Sequence, residues 1–269
     1  MPAEVPEVTG PGAKQTVIST ECLQATAEGF IAHLQQSART GSKLAIDFTN
    51  VHIVTMRHID NGFRETTGVF DYFVPDSSIL VHAIRLVGGS MKERLYGPGF
   101  MNQCVKACSD DFSHYFLGGN EDCLEKLEGS FRKEIPDLNL LGSHHGYLKD
   151  GDSEAIVEEI NELGPDFVWV GMGTPRQQAW IHDHADKIRR GNILAVGFAF
   201  DVNAGTKKDA PPWMQKMSLT WLYRLCSEPG RLWWRYLKYN TLFLAFLAKQ
   251  ILTRRPLTKA WEKGETANA

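Results

Sequence analysis

The feature that most constrains the fold is a regular alternation of short apolar runs and helical patterns between residues 113 and 196. The apolar runs fall at residues 115–117, 138–141, 167–170 and 193–196, and glycine-containing loops follow the first three. Strands buried on both faces that alternate with helices are typical of βαβ units and a parallel sheet. Two earlier strands are predicted at 44–48 and 72–74, so the sequence predicts an α/β fold.

Charge is segregated along the chain. Residues 206–269 hold 12 Lys and Arg against 4 Asp and Glu, a balance of +8. The whole chain carries −3, which leaves −11 for residues 1–205. The basic part also holds five of the seven tryptophans. Cations, aromatic rings and aliphatic side chains on predicted helices suit a surface that lies against anionic headgroups, or one that binds a polyanion such as a diphosphate.

Composition and local signals divide the chain into three parts. Residues 1–15 are rich in Pro and Gly and are predicted to be disordered, without a signal peptide. Residues 16–205 form the α/β core, and residues 206–269 form a helical appendage with one helix at 213–226 and a second that starts near Pro229. No apolar run reaches the roughly 18 residues of a membrane span. We therefore expect a cytoplasmic protein.

Two glycine-rich turns follow predicted strands. The sequence GMGTP occupies residues 171–175, and Gly118 and Gly119 follow an earlier strand. Ligands of open α/β sheets bind at the carboxyl ends of strands, where helix N-termini offer free amides to phosphate. The two turns could therefore line one crevice. The alternative is that both are simple helix-entry turns. Asn120 would then cap the helix that follows Gly118 and Gly119.

Asp76 follows a strand that ends in Val74 and Pro75. A carboxylate on a loop at a strand end could act as a general base. From spacing alone, an N-cap of the helix that begins near Ser77 is the more economical interpretation.

A basic group lies in the appendage, at Arg224, Arg231 and Arg235. It is either a solvated helix face or a clamp on a diphosphate, which arginine binds in a bidentate manner. His144 and His145 are adjacent and have no partner at ligand spacing, so no metal site and no cofactor are expected.

Several motifs in chain order resemble those of the WecG/TagA/CpsF family, glycosyltransferase family 26. The segment VGMGTPRQQAWI at 170–181 resembles the signature VGxGxPxQExWI, and VGFAFDVNAG at 196–205 resembles VGxxFDxxxG. The segments LTWLYRL at 219–225 and EPGRL at 228–232, with Arg235 and Tyr236, resemble LEWxYRLxxEPxRLxxRY. The match runs from about residue 46 to residue 247.

The resemblance implies a Rossmann-like core and a bacterial, inverting, metal-independent glycosyltransferase. Its donor would be a UDP-sugar that carries a hexosyl, N-acetylhexosaminyl or mannosaminuronyl group. Its acceptor would be a saccharide linked to polyprenyl diphosphate at the inner face of the plasma membrane, for capsule, exopolysaccharide or another cell-envelope polymer. Such an enzyme is a peripheral membrane protein. The Trp-rich, apolar character of residues 232–252 argues against nucleic acid as a partner. The oligomeric state stays open, and a homo-oligomer is allowed.

Site residues follow from the same resemblance. Asp76 takes the place of the family's catalytic aspartate, and Asn50 that of the asparagine in its TxN motif. Arg224, Arg231 and Arg235 would neutralise the departing diphosphate. The nucleotide would be held by residues of the glycine turns and by one tyrosine: Gly118, Gly119, Tyr147, Gly171, Gly173, Pro175 and Gln177.

Departures from the family pattern fall on its ligand-facing motifs. They are Phe48 for threonine, Gly99 for aspartate, Gln178 for glutamate, Asp209 for arginine and Thr220 for glutamate. They indicate a divergent donor or acceptor preference. The alternative is a catalytically impaired subunit that binds a nucleotide-sugar or serves as a scaffold in a polysaccharide assembly complex.

Overall fold

The protein is built on a single mixed sheet. A computed structural model describes residues 11–257, except for the side chain of Arg231. The strands in this part of the chain are β1 (Ala13–Val17), β2 (Thr20–Gln24), β3 (Ala45–Thr49), β4 (Tyr72–Pro75), β5 (His114–Gly118), β6 (Leu140–His144), β7 (Phe167–Gly171) and β8 (Asn192–Ala195). Their order across the sheet is β1-β2-β4-β3-β8-β7-β5-β6.

Seven of these strands run parallel. Only β1 is antiparallel, and it pairs with β2 as a hairpin at the sheet edge. The six strands expected from the apolar runs are all present, within two residues or so of the expected bounds. The predicted Rossmann-like α/β class is therefore confirmed.

Helices connect the strands and cover both faces of the sheet. They are α1 (Ala27–Arg39), α2 (Val51–Ile59), α3 (Asn61–Thr66), α4 (Ser78–Leu86), α5 (Gly97–Ala107), α6 (Glu121–Glu134), α7 (Asp152–Leu163), α8 (Arg176–His184), α9 (Ala199–Asn203), α10 (Pro212–Lys216), α11 (Thr220–Ser227) and α12 (Pro229–Thr253). Several begin at a polar residue whose side chain accepts a hydrogen bond from an amide of the first turn, as at Thr26, Asn50, Ser77 and Asn120.

The core has two apolar layers, one on each face of the sheet. All five residues of β5 are buried. Phe116 packs into one layer, whereas Tyr115 and Leu117 pack into the other, because successive side chains of a strand point to opposite faces. Burial on both faces explains why the central strands read as continuous apolar runs.

The long helix α12 returns to the core. It packs against α2, and its Phe243 and Leu247 join the larger apolar layer. Near its end, the Gln250 side chain accepts a hydrogen bond from the amide of Ile18 at 2.5 Å and donates one to the Thr16 carbonyl at 2.9 Å. Within residues 11–257, no helix combines the length and apolarity needed to cross a bilayer.

Two predictions about local structure are wrong. Disorder was predicted through residue 15, but Ala13–Val17 is a strand, because the hairpin partner β2 supplies its hydrogen bonds. Residues 1–10 lie outside the described residues. The single helix predicted at 213–226 is two helices, α10 and α11. The chain turns between them at Ser218, whose φ of 63° is left-handed.

Candidate active site

Asn50 and Asp76 lie side by side at the carboxyl edge of the sheet. They directly follow the paired strands β3 and β4, and the Asp76 amide donates to the Thr49 carbonyl at 2.8 Å. The Asn50 side chain caps α2 by accepting from the amides of His52 and Ile53. Asp76 does not cap α4, since Ser77 does. The N-cap interpretation of Asp76 for that helix is therefore wrong; its Oδ1 instead accepts from the amide of Gly97, the first residue of α5.

The Asp76 carboxylate is held in a partly buried, charged environment. Its Oδ1 accepts a hydrogen bond from the amide of Gly97 at 2.7 Å. Burial raises the pKa of Asp76 above its ordinary value, and the Asp209 charge acts in the same direction. The Gly97 amide and the guanidinium groups of Arg94 and Arg224 oppose the rise. A carboxylate with an elevated pKa is a better proton acceptor near neutral pH than a free one.

Arg94, Tyr96 and Gln215, which lie around Asp76, were not assigned a role from the sequence. The Tyr96 hydroxyl donates to Asp209 Oδ1 at 2.6 Å, and the Arg94 guanidinium stacks on the Tyr96 ring with its Cζ 4.0 Å from the centroid. Arg94 also donates to Gln215 Oε1 at 3.2 Å and to Thr220 Oγ1 at 3.3 Å. Arg94 and Tyr96 lie in the segment ERLYG at 93–97, which resembles the motif ERxxG of the WecG/TagA/CpsF family, and that resemblance was the available signal.

These contacts join the appendage to the loop that supports Asp76. Asp209 lies where the family has arginine, and Thr220 where it has glutamate. In this chain Asp209 accepts hydrogen bonds from Tyr96, from its neighbour Ala210 and from Gln215, while Thr220 accepts from Arg94. The two departures therefore form one connected hydrogen-bond network.

The two glycine turns meet at the ends of adjacent strands. Gly118 pairs with Gly171 across β5 and β7, and the Gly119 amide donates to the Gly171 carbonyl at 3.2 Å. A Cβ on Gly118 would lie 2.4 Å from the Gly171 carbonyl carbon, and its φ is 145°. A Cβ on Gly171 would overlap the ring of Phe200 at 2.5 Å. Both turns therefore require glycine, and they lie side by side at the carboxyl edge of the sheet. Asn120 caps α6 as the alternative interpretation expected.

The second turn leads into α8, which begins at Arg176 without a side-chain cap. The Gln177 amide in its first turn donates to the Gly173 carbonyl at 3.1 Å. The positive end of the helix dipole favours an anionic ligand at this position. Gln177 is buried and accepts from the Gly173 amide at 3.0 Å, so it braces the turn from inside. Pro175 follows a cis peptide bond. Tyr147 is 62% exposed beside this helix end, with the Arg176 guanidinium carbon 5.6 Å from its ring centre.

The appendage arginines approach the same edge of the sheet. Arg224 on α11 lies with its Cζ 4.2 Å from the centre of the Phe198 ring, and its charge reaches Asp76. Arg235 on α12 lies near His52, whose pKa falls to about 3 because of burial and the Arg235 charge. The backbone of Arg231 lies on α12, but its side chain is outside the described residues. The structure thus brings Arg224 to Asp76 and Arg235 to the helix that Asn50 caps.

A cavity of about 290 Å³ lies beside Arg224. Phe198, Lys207, Lys208 and Tyr223 are among its lining residues. Lys207 also pairs with Asp201 and Glu228, each at 3.4 Å. A lining with three cations is suited to a phosphate-containing group. In residues 11–257, no cluster of three or more His, Cys, Asp or Glu side chains could hold a metal ion.

Comparison with known proteins identifies a family. The model of the glycosyl transferase WecG/TagA/CpsF family matches residues 15–257. Relatives from Staphylococcus aureus strains MW2, NCTC 8325 / PS 47 and COL are each 28% identical over 220 residues, which are 81% of this chain and 84% of the relative. Each relative is named N-acetylglucosaminyldiphosphoundecaprenol N-acetyl-beta-D-mannosaminyltransferase.

The family match spans the sheet, the loops around Asn50 and Asp76, both glycine turns and nearly all of α10 to α12 as described. It therefore includes every element that contributes to the site. The chain belongs to the WecG/TagA/CpsF family of glycosyl transferases, as its motifs predicted.

Proposed function

We propose that this protein transfers a hexosyl or N-acetylhexosaminyl group from a UDP-sugar to a saccharide linked to polyprenyl diphosphate, with inversion and without a metal ion. Family membership supports the reaction class, and the printed name of the relatives supports the acceptor class. The observation that carries the mechanism is Asp76: a partly buried carboxylate with a raised pKa, next to Asn50 and facing Arg94 and Arg224.

The strand ends from the glycine turns to Asp76 would leave room for an extended donor. Three strand spacings of about 4.8 Å, or about 14 Å, separate the end of β7 from the end of β4. The diphosphate would lie at the N-terminus of α8, beside the two glycine turns. The exposed ring of Tyr147 would flank the base or ribose. The sugar would then point along the strand ends toward Asn50 and Asp76.

The proposed step is a single displacement. Asp76 accepts the proton of an acceptor hydroxyl, and that oxygen forms a bond to the anomeric carbon from the face opposite UDP. The bond between the anomeric carbon and the β-phosphate oxygen breaks, and UDP leaves with the electron pair. Attack opposite the leaving group inverts the anomeric configuration. The relatives' name specifies a β-linked product, which is the outcome expected from an α-linked donor.

Arginine would supply the positive charge that stabilises the leaving diphosphate. Arg224 lies beside Asp76 and the cationic cavity, and Arg231 and Arg235 follow at one and two turns along α12. Fixed guanidinium groups stabilise developing phosphate charge by bidentate hydrogen bonds, which is the electrostatic role of a divalent cation in other transferases.

The test is transfer from UDP-N-acetylmannosamine, UDP-N-acetylglucosamine and UDP-glucose to a lipid-linked N-acetylglucosaminyl diphosphate in EDTA. Asp76→Asn should lower kcat by about a hundredfold or more, because general-base catalysis contributes that much. Asp122→Asn, at the exposed start of α6, is the matched control and should leave kcat unchanged. NMR of the product should show the inverted anomer.

Full activity of Asp76→Asn would remove the assignment of the base. Loss of wild-type activity in EDTA, restored by Mg²⁺ or Mn²⁺, would remove metal independence. UDP binding without transfer to any acceptor would instead favour the rival function, a nucleotide-sugar-binding or scaffolding subunit, which the departures at Gln178, Asp209 and Thr220 motivate.

We also propose that the appendage places the enzyme on the inner face of the plasma membrane. Large apolar side chains of α10 and α12 are exposed, among them Trp213 at 58%, Trp233 at 61% and Trp234 at 68%. Arg254 and Arg255 are exposed at the end of α12. Exposed tryptophan with nearby cations is the composition of an interfacial helix, and a lipid-linked acceptor requires the site to reach the bilayer surface.

Vesicle co-sedimentation tests this placement. The double variant Trp233→Ser, Trp234→Ser should lose most binding to vesicles that contain anionic phospholipid, since it removes two interfacial anchors. Leu86→Ser is the matched control, because Leu86 is 64% exposed on α4 and should not contribute. Equal vesicle binding by all three proteins would refute the role of α12.

A further inference from the structure

A buried amide connects the second glycine turn to the strand that leads to Asn50. Gln178 on α8 and Asp47 on β3 are both fully buried. The Gln178 Nε2 donates to Asp47 Oδ2 at 2.7 Å and contacts Thr174 Oγ1 at 3.2 Å. Thr174 belongs to the turn that contains Gly171 and Gly173. Gln178 therefore connects the 171–175 turn to β3, which is distant from that turn in the sequence.

The Asp47 carboxylate favours a hydrogen-bond donor, such as an amide, at position 178. Burial raises the pKa of Asp47 to about 6, while hydrogen bonds from Thr49 and Gln178 and the Arg57 charge oppose the rise. At pH 8 Asp47 is therefore ionised, and an ionised carboxylate only accepts hydrogen bonds. Glutamine can donate to it. Glutamate, the residue in the family signature, would place a second carboxylate against it in a sealed site.

Asp47 also connects to the residues of the proposed transfer step. The Thr49 hydroxyl donates to Asp47, the Thr49 carbonyl accepts from the Asp76 amide, and Asn50 is the next residue. Besides Gln178, Asp47 faces the charges of Arg57 and Asp76 and the thiol of Cys22. A change in the Asp47 contact can thus move the turn on one side and the β3 end on the other.

We propose that Gln178 and Asp47 are a pair of positioning residues, which fixes the 171–175 turn against the end of β3 and thereby sets the affinity for the nucleotide. The departure from the family's glutamate is compensated by this contact and is not a sign of an inactive copy. The proposal rests on the proposed role of the turn in nucleotide binding, and neither residue needs to touch the substrate.

The experiment is calorimetric titration with UDP, together with the thermal midpoint, at pH 8 and pH 5.5. At pH 8, Gln178→Glu should weaken UDP binding by about tenfold or more, because two like charges held against each other would displace the 171–175 turn from β3. At pH 5.5 the two carboxyls can share a proton, so the loss should shrink. The exchange Asp47→Asn, Gln178→Glu restores a donor and an acceptor, and should return affinity to within about threefold of wild type.

Two further variants distinguish an effect on the position of the 171–175 turn from an effect on the stability of the fold. Gln103→Glu is the matched control, because Gln103 donates to Glu28 at 3.4 Å on the exposed surface of α5; it should bind UDP as wild type does. Thr174→Val keeps the buried pair but removes its link to the turn. It should weaken UDP binding while leaving the thermal midpoint almost unchanged.

The outcomes separate this proposal from the proposed function. If wild type binds UDP and Gln178→Glu binds equally well, or the exchange does not rescue it, the positioning role is overturned. If Gln178→Glu does not fold at pH 8, then Thr174→Val decides, and wild-type affinity in that variant overturns the proposal. If wild type binds no UDP, the nucleotide-binding function fails instead, and the thermal midpoints of Gln178→Glu and the exchange alone show whether the pair forms.

Discussion

Replacing Asp47 by asparagine should remove a pH dependence of stability that the buried carboxylate creates. Burial raises the pKa of Asp47 from 3.8 to about 6, against the Thr49 and Gln178 hydrogen bonds. Between these values the native state keeps a proton that the unfolded chain has released. The free energy of unfolding of the wild type should therefore fall as pH rises from about 4 to above 6.

The size of the effect follows from the shift. One pKa unit corresponds to about 1.4 kcal/mol, and a small part of the effect lies below pH 4, where the unfolded chain already begins to lose the proton. The buried carboxylate of Asp47 therefore costs the wild type about 2.5 kcal/mol at pH 7.5 relative to pH 4. Asparagine carries no such proton and can still accept from Gln178. The stability of Asp47→Asn minus that of wild type should then grow by about 2.5 kcal/mol across this range.

Urea unfolding at half-unit pH intervals from 4 to 7.5 measures this difference. A change of about 2.5 kcal/mol moves the midpoint by about 1 M for a protein of this size. The control is Asp137→Asn, an exposed carboxylate after α6, whose difference from wild type should stay flat. A flat difference for Asp47→Asn as well would refute the reasoning, because it would show that Asp47 titrates alike in both states.

Three other changes are predicted, two of them beside the proposed site. Asp209→Asn removes a negative charge that raises the pKa of Asp76, so the acidic limb of the kcat/KM profile should move to lower pH; an unmoved limb would contradict the electrostatic link. Gly118→Ala should destabilise the fold by about 1–3 kcal/mol and weaken UDP binding, since its Cβ would overlap the Gly171 backbone at 2.4 Å. Gly129→Ala, with nothing within 4 Å on α6, should stabilise by about 0.5–1 kcal/mol, and a reversal of the two glycine results would contradict the packing.

The central strands were predictable because each carries its own signal. A strand buried on both faces must be apolar along its length, so β5, β7 and β8 can be predicted from a few consecutive residues. The hairpin strand β1 could not be predicted in this way. It is largely exposed and polar, and it pairs in the sheet with β2, a segment that carries no comparable apolar run.

The local sequence pattern also failed to predict the turn between α10 and α11. Residues 213–226 have a helical composition throughout, but the left-handed backbone at Ser218 divides them into α10 and α11. That division lets α11 place Arg224 against the Phe198 ring. Only packing against the core selects this arrangement over one straight helix.

The sequence by itself determined the parallel sheet, the family, and the positions of Asn50 and Asp76 at strand ends, because apolar runs and motif spacing are properties of neighbouring residues. The tertiary structure alone decided what surrounds them. Asp209 meets Tyr96 across 113 positions, and Gln178 meets Asp47 across 131. Such contacts form only when the whole sheet brings distant segments together, so the meaning of a substitution at either position could not be read from its local motif.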